Sequence, residues 1–120
     1  MVLVVDDDIH VREALEGLLK SARVRSATFS SAEEVLESGK LAEASCVISD
    51  VRMPGMHGVE LLRRIKQDYP TLPVIMISGH RDEQVKQSAL TEGAAVFLFK
   101  PLEPDHLLHA VHSALRDSAS

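Results

Sequence analysis

Apolar residues in this chain gather in short, nearly uninterrupted runs: Val2 to Val5, Cys46 to Ile48, Val74 to Ile77 and Ala94 to Phe99. Each has the length of a strand, and all but the last are rich in β-branched residues. None alternates with polar positions. Parallel strands covered by helices on both faces read this way, because neither face meets solvent. A weaker run, Val24 to Phe29, alternates more and predicts an edge strand.

Between the runs, apolar residues follow a helical period. Val11, Leu15, Leu18 and Leu19 define a first helix, with Asp8 placed to cap it. Ala32, Val35 and Leu36 give a short second helix opened by Ser30-Ser31. Val59, Leu61, Leu62 and Ile65 follow Gly58 in a helix that must stop before Pro70, since proline cannot continue it. Val85, Ala89 and Leu90 precede Gly93, a C-terminal cap. Leu107, Leu108, Val111 and Leu115 form the last helix, with Pro104 in its first turn. Strand and helix thus alternate five times, which predicts an α/β sandwich around a parallel sheet. No repeat, linker or low-complexity stretch interrupts residues 1–120, so the whole span is expected to be one domain.

Composition narrows the field. Aromatic residues make up only 3%, so aliphatic side chains must fill the core. The formal charge of −5 argues against direct tracking of a nucleic-acid backbone. A single cysteine, Cys46, excludes an intrachain disulfide; in its apolar run it reads as a buried, reduced thiol. No apolar stretch approaches the roughly 18 residues that signal a membrane span. Acids within the first eight residues disagree with a signal peptide, so a cytoplasmic location is expected.

In an open parallel sheet, ligands bind beyond the carboxyl ends of the strands. The first run is followed by Asp6, Asp7 and Asp8, the second by Ser49-Asp50, the third by Ser78-Gly79 and the fourth by Lys100-Pro101. Carboxylates, a hydroxyl and an ammonium therefore converge on one sheet edge. Crowded carboxylates repel, and a hard divalent cation such as Mg²⁺ resolves the repulsion. A carboxylate ringed by metal, lysine and hydroxyl suits phosphoryl transfer, where positioning and charge neutralisation do most of the work. Taken singly, each piece has a plainer reading: an acidic capping turn, a surface lysine, a turn hydroxyl.

Four segments together carry a specific resemblance: Val4-Val5-Asp6-Asp7-Asp8, the run from Asp50 to Gly58 (Asp-Val-Arg-Met-Pro-Gly-Met-His-Gly), Ser78-Gly79-His80, and Phe99-Lys100-Pro101. In order and spacing the chain resembles the receiver (CheY-like) domains of bacterial response regulators over its whole length. The resemblance implies a doubly wound, flavodoxin-like fold with strand order 2-1-3-4-5 and helices on both faces. It implies that Asp50 is phosphorylated by a histidine kinase in a reaction requiring Mg²⁺, with Mn²⁺ able to substitute. Asp7, Asp50 and the backbone carbonyl of Arg52 would hold the metal, and Asp6 would act through water. Lys100 would bind the phosphate, after a peptide bond to Pro101 that is usually cis. Ser78 and Phe97 would be the switch pair, Phe97 buried for want of a hydroxyl. Arg52 and His80 would flank the phosphate and set its lifetime.

The family's output face, the fourth helix, fifth strand and fifth helix, falls at about Asp82 to Leu115, and phosphorylation would promote a homodimer through it. Such a domain is a switch rather than an enzyme. The run from Asp50 to Met56 resembles nitrogen-fixation regulators in particular, which join a receiver to a LuxR-type helix-turn-helix domain. Rival readings fit less well. A nucleotide or flavin protein needs a glycine- or hydroxyl-rich loop where three aspartates stand. A haloacid dehalogenase-type phosphatase needs an acid at Arg52. A pure interaction module leaves the converging charges unexplained. His106, His109 and His112 recur every three residues, but a helix drifts, so they do not share one face and read as solvated.

Overall fold

In the computed structural model, which describes residues 1–119, five parallel strands form one sheet in the order β2-β1-β3-β4-β5. The elements are β1 (Val2–Val5), α1 (Ile9–Ser21), β2 (Ser26–Phe29), α2 (Ala32–Glu37), β3 (Cys46–Asp50), α3 (Gly58–Asp68), β4 (Val74–Ser78), α4 (Glu83–Thr91), β5 (Val96–Phe99) and α5 (Pro104–Ala119). The expected topology and helix order are both present.

The three central strands are buried at every residue, which is why their sequences carry no alternation. Their side chains still divide by parity. Leu3, Val5, Val47, Val74 and Met76 pack with Leu61, Leu62 and Ile65 of α3 and with Val35 of α2. Val2, Val4, Cys46, Ile48, Ile75 and Ile77 pack with Leu15 and Leu19 of α1 and Leu107 and Val111 of α5. Full burial of each such aliphatic side chain contributes about 1.5–3 kcal/mol. Cys46 lies within this second layer, and burial pushes its thiol pKa up to about 12, so it packs as an inert hydrophobe.

The fourth apolar run departs from expectation. Ala94 to Phe99 reads as a doubly covered strand, but β5 is shorter and forms a sheet edge, with only Phe97 of its residues fully buried. Gly93, at a φ of 109°, ends α4, and the Ala94 N–H then donates to the Ala89 carbonyl at 3.0 Å. Ala94 thus serves the helix cap, while the Ala95 N–H donates to the Val74 carbonyl at 2.8 Å and leads into the strand. At the other edge, the Val24 N–H is spent on the Leu19 carbonyl at 2.8 Å, which delays β2 to Ser26. A 3₁₀ turn at Lys40–Glu43, absent from the periodicity, follows Gly39 in the left-handed region.

The helix caps aim the chain around one end of the sheet. Asp8 accepts from the His10 N–H at 2.9 Å and opens α1. Ser31 accepts from the Glu34 N–H at 3.1 Å and opens α2. His57 takes the same position for α3, its Nδ1 accepting from the Val59 N–H at 3.3 Å. Gly58 lets α3 start directly against β3: a Cβ there would fall on the Asp50 carbonyl oxygen and the Val51 backbone. Only glycine allows that approach.

Candidate functional site

Because all five strands are parallel, their carboxyl ends open on one rim. Asp6 and Asp7 follow β1, Asp50 ends β3, Ser78 ends β4, and Lys100 follows β5. The acidic triplet divides its labour. Asp6 is fully buried; one oxygen accepts the Asp8 N–H at 2.9 Å and the other takes the Lys100 ammonium at 3.1 Å. Its backbone carbonyl accepts from Arg12 Nη1 at 2.8 Å. Asp8 is consumed as the α1 cap. Asp7 is exposed, and no ion pair among the described residues engages it.

Asp50 is buried, with 7% of its surface exposed. One carboxylate oxygen accepts the Val51 N–H at 2.9 Å, and the other lies 3.6 Å from Lys100 Nζ. Burial, and then the negative charge of Asp6, raise the Asp50 pKa to about 6, against the opposing pull of Lys100 and the Val51 N–H. Burial works to lower Lys100, but the carboxylates of Asp50 and Asp6 outweigh it and hold the ammonium above the ordinary lysine value. Lys100 is therefore a fixed cation shared between two acids. The peptide bond to Pro101 is cis, as the resemblance implies.

Carboxylate oxygens of Asp6, Asp7 and Asp50 all lie within 4.8 Å of one another. An all-oxygen, anionic donor set of this kind fits a hard divalent cation that keeps several waters. The chemistry of the cluster thus agrees with Mg²⁺.

The remaining expected residues form no hydrogen bond or ion pair with this cluster among the described residues. The Ser78 hydroxyl donates to the His80 carbonyl at 3.0 Å and accepts the His80 N–H at 3.1 Å, so it closes its own turn. Arg52 and His80 are exposed at the rim. Phe97 is buried, as expected for a ring with no hydroxyl, and meets Phe99 edge-to-face at 5.4 Å. Three contacts add to those that the sequence pattern predicts. Arg12 holds the Asp6 backbone, a placement open to prediction because it lies one helical turn after the Asp8 cap. The Arg81 guanidinium stands 4.8 Å from the Phe99 ring centroid. The Glu33 carboxylate reaches the Met56 N–H across the sheet rim. The last two join residues far apart in sequence and leave no periodic signal. His106, His109 and His112 are all exposed, as expected for a solvated helix surface.

Comparison with known proteins agrees with this geometry. Residues 2–112 match the response regulator receiver domain family. The chain is 38% identical to the transcriptional regulatory protein FixJ of Bradyrhizobium diazoefficiens, covering 98% of this chain and 57% of FixJ. It is 41% identical to the DNA-binding transcriptional regulator NtrC of Escherichia coli K12, covering 96% of this chain and 24% of NtrC. Among solved structures, the receiver domain of NtrX from Brucella abortus superposes with a TM-score of 0.90 at 33% identity, covering 97% of this chain and 98% of that one. A response regulator receiver domain protein from Clostridium thermocellum gives a TM-score of 0.91 at 32% identity, covering 96% and 93% of the two chains. The chain belongs to the response regulator receiver domain family, a family of signalling switches. It spans about half the length of FixJ and about a quarter of NtrC.

Proposed function

We propose that residues 1–120 act as one phosphoacceptor unit in which Asp50 takes a phosphoryl group from the phosphohistidine of a histidine kinase. The observation that carries this is the buried Asp50 carboxylate set between the Lys100 ammonium at 3.6 Å and the carboxylates of Asp6 and Asp7. The Asp50 oxygen not held by the Val51 N–H forms the new P–O bond as the P–N bond to the donor imidazole breaks, and the leaving nitrogen takes up a proton. Asp7, Asp50 and the Arg52 carbonyl would hold Mg²⁺ or Mn²⁺, with Asp6 acting through water. When bound, the metal supplies positive charge to the phosphoryl oxygens. Lys100, already poised between two acids, moves to a phosphate oxygen.

The first test is treatment with acetyl phosphate, with and without Mg²⁺, read by intact mass. One phosphoryl group gained only with the metal is the expected result. Uptake that ignores the metal, or no uptake at all, would sink the reading.

Ser78 is the switch hydroxyl. It gives up the His80 carbonyl for the phosphate, drawing the β4–α4 loop toward Asp50 and letting Phe97 repack beneath α4 and β5. The output is read on α4, β5 and α5, and a homodimer forms there on phosphorylation. Light scattering with and without beryllofluoride checks this, and an unchanged monomer in both states would refute it.

Arg52 covers the water approach to the phosphoryl group. A guanidinium cannot act as a base, and hydrogen bonds to phosphate oxygens favour the phosphorylated state. Phosphoprotein is therefore expected to outlast minutes, and Arg52→Asn to lose phosphate on the order of 3- to 10-fold faster, the worth of ~1 kcal/mol in the barrier. Decay on a phosphate-affinity gel measures both. A slower Arg52→Asn protein would remove the shielding role; His80, on the same rim, is the second residue to vary.

Both named relatives are transcriptional regulators, which favours a transcriptional output carried outside this chain. The run from Asp50 to Met56 favours a LuxR-type helix-turn-helix output, as in nitrogen-fixation regulators. NtrC is equally similar overall, so this motif alone carries the subclass. With a formal charge of −5, residues 1–120 are proposed to leave DNA contact to that output. No helix among the described residues is long and apolar enough to cross a membrane. Membership of the receiver family favours a cytoplasmic location.

A further inference from the structure

The loop after the phosphoacceptor, residues 51–57, must hold a backbone carbonyl and an arginine in place while staying open to a partner. Its two ends are secured. The Val51 N–H donates to the Ile77 carbonyl at 2.9 Å, and the Gly58 N–H donates to the Val51 carbonyl at 2.9 Å. Val51 and Met53 sink their side chains into the core. Between these anchors the backbone of residues 52–56 makes one hydrogen bond to another element among the described residues: the Met56 N–H donates to Glu33 Oε2 at 3.0 Å.

Two features of the chain build that contact. Glu33 lies in the first turn of α2, and helical side chains lean toward the N-terminus, here toward the rim that carries Asp50. Gly55 sits at a φ of 80°, and a Cβ there would collide with the Glu33 carboxylate. The glycine thus supplies both the turn and the space into which the carboxylate fits. Glu33 is not among the clustered carboxylates of the metal-binding group, so its role is not that of a ligand.

We infer that Glu33 is a positioning residue: by holding the Met56 amide it fixes the 52–56 backbone, and with it the Arg52 carbonyl, for metal binding and phosphoryl uptake. The inference rests on the reading of Asp50 as phosphoacceptor. It makes α2 part of the site's support although, among the described residues, no α2 side chain forms a hydrogen bond or ion pair with Asp50 or Lys100.

The test uses the 120-residue chain and three variants: Glu33→Ala, Glu33→Gln and, as a control, Glu34→Ala. Glu34, the next residue of α2, accepts the Ser30 hydroxyl at 2.8 Å and makes no hydrogen bond to the loop. Two quantities are read: hydrogen exchange of the Met56 amide without metal, and Mg²⁺ affinity by calorimetry. Glu33→Ala is expected to speed Met56 exchange and weaken Mg²⁺ binding, each about 5-fold, the equivalent of one ~1 kcal/mol hydrogen bond. Glu33→Gln keeps an acceptor oxygen and should recover most of both, and Glu34→Ala should match wild type. Wild-type values for Glu33→Ala would overturn the inference. So would a Glu33→Gln protein as impaired as Glu33→Ala, since that result assigns the effect to charge. If wild type itself binds no Mg²⁺ and takes no phosphoryl group, the reading of Asp50 falls, and the inference with it. That failure is seen in the unmutated chain, whereas failure of the inference alone is seen only in the variants.

Discussion

Asp50→Asn is expected to abolish phosphoryl uptake and, in the metal-free protein at neutral pH, to raise the melting temperature. The first effect follows from the proposed role of Asp50, since the substitution removes the oxygen that would attack phosphorus. The second follows from where the carboxylate sits. Asp50 is buried beside Asp6, and its pKa is raised to about 6, first by burial and then by that neighbouring charge. An unfolded aspartate titrates near ~3.9. The folded value lies above the unfolded one, so the stability this group lends is complete below about pH 4 and is lost as pH rises through about 6. At pH 7 the native protein therefore carries an ionised carboxylate that the unfolded chain would hold more comfortably in water.

The full gap is worth ~3 kcal/mol, and screening at the open rim reduces the expected gain to about 1–2 kcal/mol. For a domain of this size that is a rise of roughly 3–10 °C. Asparagine is neutral at every pH, so the advantage should fade below pH 6 and vanish near pH 4. Lys100 keeps its closer partner, Asp6 at 3.1 Å, and is not stranded by the change. Mg²⁺ should narrow the difference, because it binds the wild-type carboxylates and stabilises by mass action. Melting curves from pH 4 to 8 in a chelator, repeated with Mg²⁺, measure all of this. A lower melting temperature for Asp50→Asn at pH 7.5, or a phosphoryl adduct on it, would contradict the account.

The parts of this molecule that were legible in its sequence share a physical cause. β1, β3 and β4 are covered on both faces, so burial wrote itself into consecutive apolar residues. The residues at the ends of those strands must lie on one rim of a parallel sheet, so Asp6, Asp50 and Ser78 group together from the sequence pattern alone. β5 was harder, because Phe97 needs an apolar environment for packing while Leu98 and Phe99 are only half-buried at an edge. The division among Asp6, Asp7 and Asp8 was only partly legible. Capping chemistry singled out Asp8, but the pairing of Asp6 with Lys100 spans 94 positions and depends on the crossover between strands. Glu33 is the extreme case: nothing near it in sequence requires an acid, and its partner is a backbone amide that any residue but proline would offer.

That division of the acidic triplet fixes the second large effect: Asp7→Ala should weaken Mg²⁺ binding far more than Asp6→Ala. Both Asp6 oxygens are already engaged, one by the Asp8 N–H at 2.9 Å and one by Lys100 at 3.1 Å, inside a fully buried position. Direct ligation by Asp6 would compete with these bonds for its oxygens, which supports the proposed role of ordering a bound water. Asp7 is exposed, and its carboxylate is within the same 4.8 Å cluster without a competing cation. If Asp7 ligates as proposed, removing it deletes a charged oxygen ligand, and water is a neutral substitute. Removing Asp6 frees Lys100 to approach Asp50, which sets an ammonium against the incoming cation, but it takes away no proposed direct ligand. The expected losses in affinity are about 30-fold for Asp7→Ala, near 2 kcal/mol, and about 5-fold for Asp6→Ala, near 1 kcal/mol. Phosphorylation from acetyl phosphate at low Mg²⁺ should fall in the same order and recover for both variants as the metal is raised. Calorimetric titration of the two proteins decides the ranking. Equal affinities, or a weaker Asp6→Ala site, would mean that Asp6 releases Lys100 and ligates the metal itself.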